Sequence, residues 1–186
     1  MVVINEKTPQ VCYLIETRKV IMNTTRISSE IPDWGREEAK VFWEPGKKLL
    51  ASIRRYQYAQ QESSVYFLIV KKMAVIQHRF WSVVTGADIQ LNSNLGGGLL
   101  ITHPNGIVIH PAVKIGPNCL IFQQVTIGSR DGGIPTIGGH VDIGAGAKII
   151  GEIKIGNHVR IGANAVVLTD VPDGCSVAGI PAKLIK

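Results

Sequence analysis

The sequence of 186 residues predicts a mainly β fold, a solenoid of short parallel strands preceded by an α-helical segment. An aliphatic residue recurs at every sixth position from Ile109 to Val167, with one shift of register between Ile127 and Ile137. Glycine often follows it directly. Neither an α-helix nor a flat strand has a period of six, so each unit should be a short strand and a corner, with the aliphatic side chain inward. Three units would close a triangular coil. The inward residues are Ile109, Ile115, Ile121, Ile127, Ile137, Ile143, Ile149, Ile155, Ile161 and Val167.

The N-terminal part of the chain is predicted to be largely helical. Residues 1–31 give weak and mixed signals. Pro32-Asp33 opens a predicted helix that runs from Trp34 to Trp43, and Pro45-Gly46 is expected to break it. A second helical pattern begins near Leu49.

An apolar stripe at helical spacing extends from Val65 to Val83, and Gly86 is expected to cap the helix that carries it. Amphipathic helices of this kind normally pack on a core or on a copy of themselves. We therefore interpret residues 1–86 as an N-terminal, largely helical oligomerisation segment and residues 87–186 as the β-solenoid domain.

Basic residues are concentrated in the N-terminal half. Residues 1–87 contain thirteen Lys and Arg against eight Asp and Glu, whereas residues 88–186 contain seven against six. A solvated helix face is the simplest explanation, and an anionic partner such as a phosphorylated substrate or a membrane surface is the alternative. Because the helices lack aromatic interleaving and a recognised nucleic-acid-binding module, we expect no nucleic-acid partner.

The three cysteines, Cys12, Cys119 and Cys175, are odd in number and have no metal-type spacing. We therefore expect no disulfide and no metal, with Cys119 acting as a small apolar side chain inside the coil. The start of the chain does not have the pattern of a signal peptide, and the best apolar run, Val65 to Val70, is too short to span a bilayer. These observations favour the cytoplasm and argue against a membrane partner.

Eight residues, 129–136, separate Gly128 from Ile137 where the repeat would require four. This segment is expected to leave the coil as a loop. Loops that project from a solenoid are where such folds usually place function.

Histidine acid–base chemistry is the most plausible chemistry in this sequence, which has no phosphate-binding loop, serine nucleophile motif or metal-type cluster. His78, His140 and His158 are expected to be ordinary solvated side chains. His103 lies in a turn-rich break and falls on the inward register, where an unpaired imidazole would be costly. We therefore expect a local break of register that turns its ring toward a cleft, and we rank His110 below it.

Five stretches of the chain form a further pattern, which covers residues 87–186 apart from the loop after Gly128. They are Ala87-Asp88-Ile89, His103 with Gly106-Ile107-Val108, Gln124-Val125-Thr126-Ile127-Gly128, Ile143-Gly144-Ala145-Gly146-Ala147-Lys148-Ile149 and Val177-Ala178-Gly179-Ile180-Pro181-Ala182. Together these stretches resemble the catalytic half of the serine acetyltransferases and the related O-acetyltransferases of surface-polysaccharide loci. The resemblance implies a left-handed parallel β-helix, acetyl-CoA as cosubstrate, and a homotrimer or a multiple of trimers.

The same resemblance implies roles for individual residues. His103 matches the general base, and Asp88 matches the acid that orients the imidazole. An alcohol attacks a thioester only if a base takes its proton, so this pair suits the chemistry. The positions that match the acetyl-CoA site are Gly128, Ser129, Ala145 and Ala163, and Lys183 is a candidate contact for the CoA phosphates.

Two departures from the family pattern concern the acceptor. Ile134 stands where the family has its serine-binding histidine, and Thr102 stands where an acid precedes the catalytic histidine. The acceptor is therefore L-serine or a sugar hydroxyl of polysaccharide synthesis, and we expect serine to be acetylated poorly relative to a sugar. The alternative is a non-catalytic solenoid that serves as an assembly or regulatory subunit.

Overall fold

The computed structural model describes residues 27–61 and 64–185, so Cys12 and most of the weakly patterned N-terminus lie outside it. Two helices precede the solenoid: α1, Pro45–Gln60, and α2, Val65–Thr85. Gly86 adopts the left-handed conformation (φ 64°) and its N–H donates to the Ser82 carbonyl, which confirms the predicted cap. None of the described helices is long and apolar enough to cross a membrane.

The helix expected from Trp34 to Trp43 is wrong beyond a single 3₁₀ turn, Trp34–Glu37. The backbone N–H groups of Lys40 and Val41 donate to the Glu44 carboxylate rather than to helical carbonyls. Pro45 begins α1 instead of breaking a helix. Proline suits the first helical position because the N–H that it lacks would have no intrahelical partner there.

Helix α1 covers the N-terminal end of the solenoid. Leu49, Leu50 and Ile53 are fully buried and belong to the same apolar cluster as the coil interior. Gly46 permits this contact, because a Cβ built on it would lie 2.4 Å from the Ile101 carbonyl oxygen. The glycine therefore sets how closely α1 can approach the first coil.

Fifteen short strands form the solenoid. Three parallel sheets make its faces: a first sheet of β1, β4, β7, β10 and β13, a second of β2, β5, β8 and β11, and a third of β3, β6, β9, β12 and β14, to which β15 adds antiparallel. The strands are β1 Asp88–Ile89, β2 Asn94–Leu95, β3 Leu100–Ile101, β4 Val108–Ile109, β5 Lys114–Ile115, β6 Leu120–Ile121, β7 Thr126–Gly128, β8 Thr136–Ile137, β9 Asp142–Ile143, β10 Lys148–Ile150, β11 Lys154–Ile155, β12 Arg160–Ile161, β13 Val166–Val167, β14 Ser176–Ala178 and β15 Lys183–Leu184.

The six-residue repeat forms the core as predicted. All ten repeated aliphatic residues from Ile109 to Val167 are buried, each with at most 3% of its surface exposed. Two departures from the 18-residue coil fall where the sequence indicated them. Asp88 pairs with Val108, 20 positions away, because the turn before β4 adds two residues, and Lys114 pairs with Thr136, 22 positions away, because of the loop after β7.

The described cysteines are both buried, but they differ in state. Cys119 is a free thiol inside the coil, and its burial raises its pKa to about 11, so it behaves as the apolar side chain expected. Cys175 is disulfide-bonded, so the expectation that the chain forms no disulfide is wrong for this residue.

Candidate active site

His103 lies at the corner where the third sheet turns into the first. We define the His103 corner as residues 102–107, 122–125, 144–147, 162–165 and 179–182, which stack on one another along this edge of the solenoid. The turn of His103 is two residues longer than the corresponding turns of the following coils. Gly106 takes a left-handed conformation (φ 68°) that lets the turn close before β4.

The turn of His103 is fixed by backbone hydrogen bonds on both sides. The Gly106 N–H donates to the Gly86 carbonyl at 3.0 Å, and the Gln124 N–H donates to the Asn105 carbonyl at 2.9 Å. The His103 side chain is exposed. The predicted break of register is thus confirmed, and it removes the imidazole from the aliphatic interior.

Asp88 lies on β1, beside β4, and its side chain is also exposed. Its N–H donates to the Ile107 carbonyl at 2.8 Å, so the strand of Asp88 adjoins the end of the His103 turn. Within the described part of the chain, no hydrogen bond or ion pair joins Asp88 to His103. One chain therefore places the two groups on neighbouring segments without joining them by a hydrogen bond or an ion pair.

Small residues continue the same edge. Ala145 and Ala163 are 18 residues apart and occupy successive coils, and the Asn164 N–H donates to the Ala145 carbonyl at 2.8 Å. The corners stack closely, since a Cβ on Gly144 would lie 2.6 Å from the Ala163 nitrogen. Lys183 is exposed on β15, just after residues 179–182 of this edge. His103, Ala145, Ala163 and Lys183 thus follow one edge of the solenoid.

Gly128 and Ser129 lie on a different edge, where the first sheet turns into the second. Strand β7 separates them from the His103 corner, over about 10 Å for three extended residues. The Gly128 carbonyl accepts a hydrogen bond from the Gly151 N–H at 3.2 Å, while Ser129 is exposed. The structure of one chain therefore does not gather all five predicted acetyl-CoA positions in one place.

The insertion after Ser129 folds into a small hairpin. Arg130 and Gly133 exchange both backbone hydrogen bonds, and Asp131 and Gly132 between them have positive φ angles, as a tight primed turn requires. Ile134 is half-buried and packs against the core cluster. Its side chain is therefore committed largely to packing, and only part of its surface is open to an acceptor.

A surface cavity lies elsewhere, on the N-terminal segment. Its wall combines aromatic rings with basic side chains, and none of its lining residues belongs to the His103 corner. The lining includes Trp34, Phe42, Lys48, Arg55 and Trp81. This cavity is therefore not the cleft expected at His103, whose side chain is exposed in the single chain.

No protein-family model matches the chain. In sequence it is 46% identical over 107 residues to the serine acetyltransferase of Synechococcus elongatus, covering 55% of this chain and 44% of that protein. It is 35% identical over 156 residues to the serine acetyltransferase of Mycobacterium tuberculosis, covering 82% and 58%. The chain thus spans about half the length of these relatives.

Solved structures give the same result. A serine acetyltransferase in complex with CoA superposes with a TM-score of 0.65 at 33% identity, over 77% of this chain and 58% of that one. Soybean serine acetyltransferase complexed with serine gives a TM-score of 0.64 at 33% identity, over 76% and 57%. The chain is a serine acetyltransferase-like hexapeptide-repeat protein. Its solenoid matches the left-handed parallel β-helix, so the predicted fold class is confirmed.

The remaining histidines of this serine acetyltransferase-like chain are not the solvated side chains that the sequence suggested. His140 and His158 are half-buried and face each other, with their Nδ1 atoms 2.8 Å apart. Their 18-residue separation, three repeat units, is the sequence signal that could have predicted the contact. Burial lowers the pKa of His140, and the Asp142 charge opposes this shift.

His78 and His110 also have partners. The His78 Nε2 lies 2.8 Å from the Ile89 carbonyl oxygen, and the His110 Nδ1 lies 3.3 Å from the Ala112 nitrogen. His103 is thus the exposed histidine of the solenoid without a side-chain hydrogen bond to another described residue. Among residues 27–61 and 64–185, no group of three or more His, Cys, Asp or Glu side chains is arranged to hold a metal ion.

Proposed function

We propose that the chain is an acetyl-CoA-dependent O-acetyltransferase that transfers acetyl directly from CoA to an alcohol. The observation that carries the proposal is the exposed His103, held on a rigid turn at an edge whose next coils present small residues. The similarity of the solenoid to serine acetyltransferases supports it. A non-catalytic solenoid has no need of a register break that exposes one histidine at this edge.

In the proposed reaction, the hydroxyl oxygen of the acceptor attacks the thioester carbon while His103 removes the hydroxyl proton. Collapse of the tetrahedral intermediate breaks the carbon–sulfur bond, and the imidazolium returns the proton to the leaving CoA thiolate. The products are the acetyl ester and CoA, with no acyl-enzyme. General base catalysis of this type contributes a factor of about 10² to 10⁴. Asp88 is assigned the positioning of the imidazole and the stabilisation of its charged form.

Acetyl-CoA fits the His103 corner in chemical terms. Ala145 and Ala163 project no more than a methyl group from the wall, so the pantetheine arm could lie close to the backbone. Lys183 supplies a cation for the phosphates near the end of the same edge. A backbone N–H of Gly128 or Ser129 is assigned as the hydrogen-bond donor to the thioester oxygen. Because these residues and the His103 corner lie at opposite edges of the first sheet, the assignment requires that the two edges meet between neighbouring subunits.

We further propose a trimer, or a multiple of one, in which a neighbouring coil completes the site. The exposure of His103 and the separation of Ser129 from Ala145 support it, since both leave the site of a single chain incomplete. Sedimentation velocity is expected to show a trimer or larger assembly. A monomer that retains full acetyl-transfer activity would refute this part of the proposal.

Two observations bear on the acceptor, and they favour different alcohols. Named relatives favour L-serine, and acetylation of serine would place the chain in cysteine biosynthesis. The residue Ile134 in place of the histidine favours a sugar hydroxyl and polysaccharide biosynthesis, because a zwitterionic amino acid needs charged partners. The loop hairpin offers Arg130 and Asp131, which already form an ion pair at 3.3 Å with each other.

The test measures thiol release from acetyl-CoA by the purified full chain, with L-serine and a panel of sugars as acceptors. Turnover with any alcohol supports the acetyltransferase, and the absence of turnover with every acceptor would favour the non-catalytic solenoid. From the loop we predict a higher kcat/KM for a sugar than for serine. Efficient formation of O-acetylserine, with saturation at submillimolar serine, would contradict that prediction and assign serine as the acceptor.

A further inference from the structure

The helical hairpin, residues 45–61 and 64–85, is strongly basic. It contains seven Lys and Arg and no Asp or Glu, while Glu62 of the connection lies outside the described residues. Neighbouring segments neutralise part of this charge. Arg54 pairs with Glu37 at 2.8 Å, and Lys47 pairs with Glu44 at 2.9 Å. The seven basic residues are Lys47, Lys48, Arg54, Arg55, Lys71, Lys72 and Arg79.

Helix α2 also presents a long apolar face to solvent. Only Ala74 and Thr85 of its 21 residues are buried, although the helix is predominantly apolar. A helix of this length spans about 31 Å at 1.5 Å per residue. Large side chains recur on its exposed face at alternating spacings of four and three, which keeps them on one side. They are Ile69, Met73, Ile76, Phe80 and Val83, each more than half exposed.

Two uncompensated cations border this apolar face. Lys72 and Arg79 are exposed and lie seven residues apart, so both project from the same side of α2. Neither forms an ion pair with any residue in the described part of the chain. An apolar stripe that includes an aromatic ring, here Phe80, and has Lys and Arg along its border is the pattern of a helix that lies in a membrane interface.

A second copy of α2 would suit the apolar stripe but not the charge. Two copies of α2 packed along the stripe would each place Lys72 and Arg79 beside the seam, with no described carboxylate on α2 to pair with them, whereas paired helices normally place opposite charges beside their apolar seam. A nucleic acid would suit the charge but not a stripe of exposed aliphatic side chains. An anionic phospholipid surface matches both properties.

We infer that α2 docks the protein on anionic membranes, with its apolar stripe in the headgroup boundary and with Lys72 and Arg79 at lipid phosphates. The inference favours the membrane surface that the sequence analysis gave as an alternative partner of the basic helices, over the expectations of no membrane partner and of an oligomerisation role for this segment. The inference is independent of acetyl transfer. It also has a spatial consequence, because α2 ends at Gly86, whose carbonyl accepts a hydrogen bond from Gly106 in the turn of His103. Docking would therefore hold the candidate active site close to the membrane surface.

The test is flotation of the full chain with vesicles, without acetyl-CoA. Vesicles of phosphatidylcholine containing phosphatidylglycerol are expected to bind the protein at low salt, at least about tenfold more tightly than phosphatidylcholine alone, and binding should weaken as salt is added. Phe80→Ser should reduce binding about tenfold through lost apolar burial. The double variant Lys72→Glu/Arg79→Glu should reduce it at least as much.

Matched controls are taken from the solenoid. Lys114→Glu/Arg160→Glu makes the same change of charge, and Leu168→Ser makes a comparable apolar-to-polar change at a partly exposed site. Both should bind as the wild type does.

Circular dichroism checks the fold of each variant. The comparison of the two vesicle types uses wild-type protein, so it does not depend on any variant folding correctly. Equal binding to neutral and anionic vesicles, or no binding to either, would overturn the inference. A third contrary outcome is a wild-type protein that does not bind vesicles but forms an oligomer, which Phe80→Ser dissociates. The apolar face would then be covered by a second copy of the chain.

Discussion

Two edges of the solenoid carry histidines, and the two edges are built differently. At the His140 corner, which we define as residues 116–119, 138–141 and 156–159, the regular 18-residue coil stacks His140 on His158. At the His103 corner, two additional residues push the turn out of register and leave His103 exposed. The regular edge commits its histidines to each other, whereas the irregular edge leaves one histidine free to meet a substrate.

The covering of the two edges differs as well. The chain before α1 lies over the His140 corner, where the Asn118 amide donates to the carbonyls of Ser28 and Ile31 and its oxygen accepts from the Asp33 N–H. Gly139 permits the contact, since a Cβ there would collide with the Ser29 carbonyl. The described residues place no such segment over Ala145, which is half-buried, or over Ala163, which is exposed. This difference agrees with a structural role for the covered edge and with the catalytic role proposed for the open one.

The largest expected effect comes from removing the exposed histidine. His103→Ala should lower kcat for acetyl transfer by a hundredfold or more, on the usual scale of general base catalysis, with the fold unchanged. His140→Asn is the matched control, because it removes an imidazole from the other edge, and it should keep activity within about twofold of the wild type. Near-normal turnover of His103→Ala would eliminate the proposed mechanism.

A smaller effect is expected at Asp88, which acts through the imidazole. Asp88→Asn should lower kcat about tenfold, less than the loss of His103, since it removes the charge that stabilises the imidazolium but leaves the base in place. The substitution is nearly isosteric and lies on an exposed strand end, so stability should not change. An activity loss equal to that of His103→Ala would instead indicate that Asp88 contacts substrate directly.

The smallest effect concerns stability rather than activity. Burial lowers the pKa of His140 in the folded state below its ordinary value of 6.5, so the unfolded chain takes up this proton more readily. Stability should therefore fall as the pH drops through and below about 6.5. His140→Asn should reduce the fall in Tm between about pH 7.5 and about pH 5.5.

The asparagine variant suits the backbone at this corner. His140 has a φ of 52°, and Asn118 and Asn164 adopt the same left-handed conformation at corners of other coils. His110→Asn serves as the control, because it also removes one imidazole from the solenoid but leaves the pair intact. If both variants flatten the pH dependence equally, the His140–His158 contact is not its source.

The sequence was sufficient for the solenoid because its repeat is a property of the core. Each inward aliphatic residue repeats the same local geometry, so the period alone gives the strands, the corners and the break at His103. The helix expected from Trp34 to Trp43 failed for the opposite reason. The conformation of this segment depends on one side chain, because the Glu44 carboxylate accepts hydrogen bonds from backbone N–H groups that a helix would use. It also depends on Pro45, which begins a helix rather than ending one.

The candidate site was predictable only in part. The isolation of His103 followed from the repeat, but the His140–His158 contact depends on the stacking of corners, which a residue-by-residue interpretation of exposure overlooks. The packing of Ile134 depends on a hairpin whose turn the sequence Asp131-Gly132 signals, although its direction relative to the coil is set by tertiary contacts. The acceptor depends on groups beyond this edge, and a neighbouring subunit would supply some of them.

The proposed binding of acetyl-CoA at the His103 corner is tested most directly by a titration with CoA that is monitored through the backbone amide signals in NMR spectra. Saturable shifts are expected at the amides of Ala145 and Ala163 and in the turn of His103, while the amides of Gly139 and Asn157 at the His140 corner should stay unchanged. Shifts confined to the His140 corner or to the helical hairpin, or no saturable shift at millimolar CoA, would contradict it.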